Sequence, residues 1–308
     1  MRGTEFLHLE ATQTQLLASI KTESNLSTFG FMFRNVNFWF FAIVICVSLW
    51  SCRKELPNGG KPFYLEISDP EVSSSTTTGS ALHNISDVWV QAGPKNLGVY
   101  STPASIPVLT DTGTYTVVLQ AGIKNNGTTT DRKPYPFYAS QVLQIAFTDS
   151  QKISIKPRFE YVVSTRVALN EGFESGNAFT SAMTVVSGTP DVLEGTGSGL
   201  LQPGPSSTVE AVSATYSIST ASIVYVEMNY KNDVPMTVGI ESNEAGTTVR
   251  VDKVTLFPKL SWGKVYIEFT PQLRQLTSGS YRFYIKAINT DSSSAAKVFV
   301  DNFKVLYL

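Results

Sequence analysis

The stretch Val224-Tyr225-Val226-Glu227-Met228-Asn229-Tyr230 alternates apolar side chains with tyrosine, carboxylate and amide. A period of two puts Val224, Val226, Met228 and Tyr230 on one face of a strand and Tyr225, Glu227 and Asn229 on the other. Two later stretches repeat the pattern. Val265, Ile267 and Phe269 alternate with Tyr266, Glu268 and Thr270, while Tyr281, Phe283, Ile285 and Ala287 alternate with Arg282, Tyr284 and Lys286. One face of each is core, contributing roughly 1.5–3 kcal/mol for each large side chain fully buried. The other carries tyrosine and charge. The fold class that follows is all-β.

Upstream, over 61–163, the period is again two and no helical stretch of useful length occurs. Phe63, Leu65 and Ile67 alternate with Tyr64, Glu66 and Ser68, and Tyr115, Val117, Leu119 and Ala121 form the clearest inward face. Asn125-Asn126-Gly127 marks a turn, because Asn-Gly accepts positive φ at little cost. The connection 73–80 is too polar for core. Short strands with turn signals at this spacing predict a β-sandwich, and the patterning resembles the transthyretin-like, PEGA-like and immunoglobulin-like modules of envelope proteins. Within it, Arg132-Lys133-Pro134-Tyr135-Pro136-Phe137-Tyr138 reads either as a partner-binding loop or as a proline-stiffened crossing whose aromatics cap the core.

The remainder, 168–308, opens on Asn170-Glu171-Gly172-Phe173-Glu174-Ser175-Gly176 and closes on Val298-Phe299-Val300-Asp301-Asn302-Phe303-Lys304-Val305. These ends, with Ser261-Trp262-Gly263-Lys264-Val265-Tyr266, resemble galactose-binding-like jelly rolls, the group that includes many carbohydrate-binding modules. The resemblance implies two antiparallel sheets with the first and last strands adjacent. It implies a packing role for Trp262, which is read here as core just before a strand. It also implies a structural calcium ion tying the ends together, for which Glu171, Glu174 and Asp301 are the matching positions. Read alone, the same three residues also suit turn caps at the sandwich edge. Gly195-Thr196-Gly197-Ser198-Gly199 lacks the Lys-Ser/Thr ending of a phosphate loop and reads as a flexible inter-strand loop.

The N-terminal part carries the address. The apolar run 38–50, FWFFAIVICVSLW, is shorter than the about 20 residues a spanning helix needs. It has the length of a signal-peptide core. It ends Leu49-Trp50-Ser51-Cys52, which resembles the lipobox of bacterial lipoproteins, with Trp50 a departure from the small residue usual there. The resemblance implies lipidation of Cys52, a leader over 1–51 and a tether over 52–60. Met32, followed by Arg34, suits a translation start better than Met1, since the stretch 1–31 carries Glu5, Glu10 and Glu23. Arg53 after the cysteine fits the outer membrane, on its periplasmic or cell-surface side, with the lipid as the only membrane contact.

Composition narrows the function. Charged residues make up 16% of the 308 and the net charge is −1, against about 25% charged in an average domain. Nucleic acid, which needs a basic patch, is excluded as a partner. Two cysteines, Cys46 and Cys52, and two histidines, His8 and His83, leave no zinc cluster and no partner for a catalytic triad. Three readings remain. A glycan-binding lipoprotein would use Tyr225, Glu227, Asn229, Tyr266, Glu268, Arg282 and Tyr284 as one platform, unless those tyrosines pack against the first sandwich. An adhesion or assembly subunit would instead contact an envelope protein through its loops. A glycoside hydrolase would need a facing carboxylate pair, for which Glu227, Glu241 and Glu268 are the candidates. The expectation is a non-enzymatic binding protein.

The anchor is directly testable. Cys52→Ala should leave the chain unprocessed or released from the membrane fraction, and mass spectrometry of the native protein should find diacylglycerol on Cys52. An intact peptide running across Ser51 and Cys52 in the mature protein would refute it.

Overall fold

Alternation of the kind at 224–230 is satisfied when sheets pack face to face. The computed structural model describes residues 55–148, 151–180 and 182–308 and contains two such pairs of sheets. The leader, the apolar run and Cys52 lie outside the described residues.

The first sandwich is built from β1 (Phe63–Ile67), β2 (Glu71–Ser73), β3 (Asp87–Ala92), β4 (Lys95–Tyr100), β5 (Ala104–Val108), β6 (Gly113–Lys124), β7 (Arg132–Pro134), β8 (Gln141–Phe147), β9 (Lys152–Ile155) and β10 (Arg158–Glu160). One sheet runs β4-β3-β6-β7 with β8 also on β6; the other runs β5-β1-β9, beside a short β10-β2 pair. Val88, Val90, Val117, Leu119 and Phe147 of the first sheet pack with Phe63, Leu65, Ile106 and Ile155 of the second in one buried cluster. The inward face expected of Tyr115–Ala121 is the one observed, except that Tyr115 stays only partly buried at the sheet end.

The second sandwich follows. Its larger sheet orders β12 (Thr184–Ser187), β13 (Gly197–Leu201), β21 (Val298–Tyr307), β16 (Val224–Asn232) and β19 (Lys259–Glu268), with β11 (Arg166–Glu171) also on β21. Facing it are β14 (Thr208–Val212), β20 (Ser280–Ile288), β17 (Met236–Glu244) and β18 (Thr247–Leu256), with β15 (Tyr216–Ser217) on β20. A single short α-helix among the described residues, α1 (Thr270–Gln275), caps one end. The first and last strands of the sandwich, β11 and β21, pair antiparallel, as a jelly roll requires. The glycine run 195–199 departs from the expected loop. Gly197 onward is strand β13, and its glycines are needed for close approach. A Cβ on Gly199 would lie 2.6 Å from the Phe173 ring, and one on Gly197 2.3 Å from the Phe173 carbonyl.

Between the sandwiches lies a polar seam. The β16/β19 sheet turns Val226, Met228, Val265 and Ile267 into its own core, while Tyr225 and Tyr266 on its opposite face join the core of the first sandwich. Tyr135 sits 5.3 Å from Tyr225 and 4.8 Å from Tyr266, and Phe137 5.8 Å from Tyr225. The aromatics after β7 thus cap a core, and the cap is shared by both sandwiches. The Asn125-Asn126-Gly127 turn adds to the hold: Asn126 N donates to the Tyr266 carbonyl at 2.8 Å, and Glu268 N donates to Asn126 Oδ1 at 3.0 Å. Leu56–Leu308 therefore forms one compact unit.

At the centre of the seam Glu227 is fully buried. Its carboxylate accepts from Tyr135 Oη at 2.8 Å and from Tyr161 Oη at 3.0 Å, and pairs with Lys264 Nζ at 2.7 Å. Lys264 Nζ also donates to the Leu82 carbonyl at 2.6 Å, and Lys304 Nζ to the Ser80 carbonyl at 2.7 Å. Burial acts to raise the Glu227 pKa. The charges of Lys264 and Lys304 and the hydrogen bonds from Lys264 and Tyr135 outweigh it and hold the group below its ordinary 4.5. For Lys304, burial dominates over the attraction of Glu227 and brings the ammonium down to about 8.

A carboxyl with a folded pKa below its unfolded value stabilises the fold fully above the unfolded value, and that contribution is lost as pH falls through the folded one. The Glu227 contribution should accordingly be complete above pH 4.5 and decline as acid protonates the seam. Glu227→Gln should remove that part of the acid slope. At neutral pH it should cost about 3–5 kcal/mol, because Lys264 is left buried without its counter-charge. Urea unfolding across an acid pH series checks both; an unchanged slope in the variant would place the acid sensitivity elsewhere.

Candidate ligand-binding cleft

The seven residues expected to form one platform are divided between two sheets. Tyr225, Glu227 and Asn229 on β16 share the outer face of the larger sheet with Tyr266 and Glu268 on β19, paired Tyr225 to Glu268 and Glu227 to Tyr266. Arg282 and Tyr284 lie on β20, in the other sheet. The larger-sheet group is covered. Tyr225, Glu227 and Tyr266 are at most 1% exposed, and Glu268 is tied to Lys133 at 2.7 Å and to Asn125 at 3.1 Å. These four hold the first sandwich in place, so they cannot present a free face to a ligand.

Arg282 and Tyr284 belong to a self-satisfied ladder. Arg282 pairs with Glu241 at 3.1 Å, Arg250 with Glu241 at 3.0 Å and Glu210 at 2.6 Å, and Lys286 with Asp252 at 2.9 Å. The Tyr284 ring lies flat over Gly239, where a Cβ would come within 2.1 Å of it, and the Arg250 guanidinium sits 4.3 Å from the ring centroid. Its hydroxyl donates to Asp252 at 2.5 Å. Of the three carboxylates considered for hydrolysis, Glu227 and Glu268 are engaged at the seam and Glu241 sits on the other sheet, so the facing pair is not formed.

The residues expected to hold calcium act as turn caps. Glu171 accepts from Phe173 N and Ala178 N, both at 2.6 Å. Glu174 accepts from Thr196 Oγ1 at 2.7 Å and Thr196 N at 2.9 Å, hydrogen bonds that hold its pKa below the ordinary value. Asp301, its pKa raised by burial, accepts from Ser198 Oγ at 2.9 Å, Asn302 N at 2.7 Å and Glu194 N at 3.2 Å. These lone pairs point at N–H and O–H donors, the reverse of what a cation needs. Among the described residues no group of three or more His, Cys, Asp or Glu side chains could hold a metal ion. The residues do not fit the calcium site the resemblance implies.

What remains open is the far end of the same sheet face. Counting by twos along β19, Glu268, Tyr266 and Lys264 are followed by Trp262; along β16, Tyr225 and Glu227 are followed by Asn229. Cover from the first sandwich ends there, leaving a cleft of about 460 Å³ at the junction. Asn229, Trp262 and Lys264 line it from this sheet face, with His83 and Asn84 before β3 and Lys124, Gly127 and Thr129 around the β6–β7 turn. Lys259 closes the rim. The β16–β19 register shifts between Tyr230 and Asn232, an irregularity of the kind that re-aims side chains beside sites.

Trp262 is half-buried, not core, and lies inside the strand. Phe299 packs against it at 6.3 Å, and Lys231 Nζ sits 5.4 Å from its ring. Two buried polar atoms of residues that line this cleft have no hydrogen-bond partner among the described residues: Trp262 Nε1, a donor, and Asn229 Oδ1, an acceptor. Asn229 is only 5% exposed. Buried polar groups of native proteins are nearly all hydrogen-bonded, to water or ligand where protein offers nothing, so these two atoms are open hydrogen-bonding positions. Burial and the nearby Lys264 lower the His83 pKa, which keeps the imidazole neutral at pH 7.

Sequence reasoning placed five of the seven residues on what is one sheet face, and did not extend that row to Trp262. Trp262 stands two residues before Lys264 and four before Tyr266, so the same period of two that placed the tyrosines also places the tryptophan beside them. Lys124, Lys259 and His83 carried no comparable signal, because they reach the cleft from three separate segments.

No protein-family model matches this chain, and no curated protein matches it. Among solved structures it is similar to TmCBM61 in complex with β-1,4-galactotriose, at 18% identity and a TM-score of 0.34, covering 46% of this chain and 97% of that one. It is also similar to the CBM22-1 xylan-binding domain from Paenibacillus barcinonensis Xyn10C, at 13% identity and a TM-score of 0.37, covering 46% and 94%. A carbohydrate-binding module of the β-sandwich superfamily, described for promiscuous specificity, matches at 14% identity and a TM-score of 0.36 over 72% of this chain and 84% of its own. Similarity at this level assigns the chain to none of these groups.

Proposed function

We propose that this chain is a non-catalytic glycan-binding protein of the cell envelope, anchored by lipid on Cys52, with the cleft at Trp262 as its binding site. One observation carries the reading. A half-buried tryptophan and a buried amide line an open cleft, and each keeps a polar atom without a protein partner. Sugars need that combination. An aromatic ring covers the C–H patch of a pyranose, and fixed donors and acceptors take the surrounding hydroxyls. Trp262 supplies the first, and Asn229 Oδ1 and Trp262 Nε1 the second. The cleft lies where no covering strand or ionic ladder must be displaced.

A second reading has its own support. At the crossing from β18 to β19, between the two sheets, Phe257 and Leu260 are 75% and 80% exposed, and the end of β18 is held by Asn232 Nδ2, which donates to the Leu256 and Phe257 carbonyls at 3.3 and 3.2 Å. Two large apolar side chains on a braced crossing suit a protein contact, as an assembly subunit would need.

Trp262→Ala separates the two. It should leave the thermal melt close to that of the parent, since the ring is only half-buried, and weaken retention in polysaccharide affinity gels about tenfold or more, as loss of a central aromatic contact does. No retention by the parent on any glycan, or full retention by the variant, would shift the assignment to the assembly reading. Phe257→Ser would then be expected to release a co-purifying partner.

A further inference from the structure

The cleft is of one charge sign. Lys124, Lys259 and Lys264 line it together with His83, and no Asp or Glu does. Lys264 is committed, to Glu227 at 2.7 Å and the Leu82 carbonyl at 2.6 Å. Lys124 and Lys259 are not. Among the described residues neither ammonium makes an ion pair or a hydrogen bond, while most other lysines near carboxylates on this protein are paired, as Lys133 is to Glu268 and Lys286 to Asp252. In a chain with 24 basic and 25 acidic residues, a cleft with three lysines and no carboxylate is a local departure from balance.

The local geometry holds the stem of one of these lysines in place. Gly263 has no side chain, and the Lys259 stem occupies the space: a Cβ there would fall 2.4 Å from Lys259 Cε and 3.6 Å from its Nζ. The stem is thereby held against β19, with Lys259 among the residues that line the cleft. Lys124, half-buried, lines it from the end of β6. Two unpaired cations lining the same cleft as an aromatic ring and a buried acceptor at Asn229 suit a ring that carries both hydroxyls and negative charge.

We propose that the cleft selects an acidic glycan, with Lys124 and Lys259 pairing to its anionic groups while Trp262 covers a sugar face and Asn229 accepts a hydroxyl. This rests on the glycan-binding reading and names its ligand class. The charge could be borne by ring carboxylates, as in uronic acids, or by sulfate esters, and both would meet the same two ammoniums. Charge-assisted contacts at a partly desolvated site are the strong kind of hydrogen bond. Those made by exposed lysines weaken as salt screens them.

The test is calorimetric titration of the full chain with three probes: an oligogalacturonate, the same oligosaccharide with its carboxyls reduced to the neutral galactose form, and a sulfated galactan oligosaccharide. An acidic probe should bind about tenfold tighter than the neutral one at low salt, a difference of about 1.4 kcal/mol. The advantage should shrink at high salt. Lys124→Gln combined with Lys259→Gln should abolish it without changing the melting temperature, whereas Trp262→Ala should weaken acidic and neutral probes together. Which acidic probe wins identifies the anionic group. Equal binding of acidic and neutral probes that still depends on Trp262 would overturn the acidic preference and leave the glycan reading intact. An acidic preference that survives the double lysine variant would overturn the assignment of these residues. Failure of all three probes to bind would remove the glycan reading, and this inference with it.

Discussion

Everything on this molecule is arranged around a buried carboxylate. Glu227 sits with no exposure between two sandwiches, and taking such a charge out of water is costly unless every lone pair is used. Here they are used: two tyrosine hydroxyls from the first sandwich and one lysine of its own sheet reach it directly. The group carries two ammoniums for one carboxylate, and that excess is met by the Ser80 and Leu82 carbonyls, donated from the polar connection after β2. The connection reads as a plain surface loop, yet its backbone completes the charge balance of the seam. Remove any member and a buried charge is left short of a partner, so the two sandwiches are matched to each other residue by residue.

That matching also fixes where a ligand can sit. A sheet with both faces buried usually reads as a nearly continuous apolar run. The β16/β19 sheet does not, because one of its two covers is itself polar and aromatic. The cover stops short of Asn229 and Trp262, and at that edge the polar row meets solvent with buried atoms still unpaired. The cleft is therefore a by-product of how far the first sandwich reaches. Its walls inherit the stiffness of the seam, since the Asn125–Gly127 turn that forms one side is hydrogen-bonded to β19.

How much of this was legible in the sequence depends on distance along the chain. The strands, the two sandwiches and the pairing of β11 with β21 follow from local alternation and from the two ends of the jelly roll. The fate of Tyr225, Glu227 and Tyr266 does not. A strand face of tyrosine, glutamate and lysine is what a solvent face looks like, and only Tyr135 and Tyr161, some 60 to 130 positions away, show that it is buried. Nor does sequence show what the carboxylates named for calcium do: at Glu171 and Glu174 the chain turns tightly enough for backbone N–H groups to engage them. Trp262 was legible in principle, since it continues the row of Lys264 and Tyr266. Its position next to Gly263 and a serine hid it by resembling the start of a strand and not its interior.

The outer face of the β17/β20 sheet shows why the junction is the better place for a site. That face is broad, polar and aromatic, and on side-chain inventory alone it suits a sugar as well as the cleft does. Its groups are already spent on one another. Arg250 and Arg282 share Glu241, Asp252 holds Tyr284 and Lys286, and the Tyr284 ring is pressed against Gly239 beneath Arg250. A ligand there would have to break an ion pair for each contact it made, and exposed pairs of this kind return little when exchanged. At the cleft the exchange is different: among the described residues Trp262 Nε1 and Asn229 Oδ1 have no bond to give up, and Lys124 and Lys259 no counter-ion to lose. Binding strength is set by what a surface leaves unsatisfied, not by how many polar groups it displays.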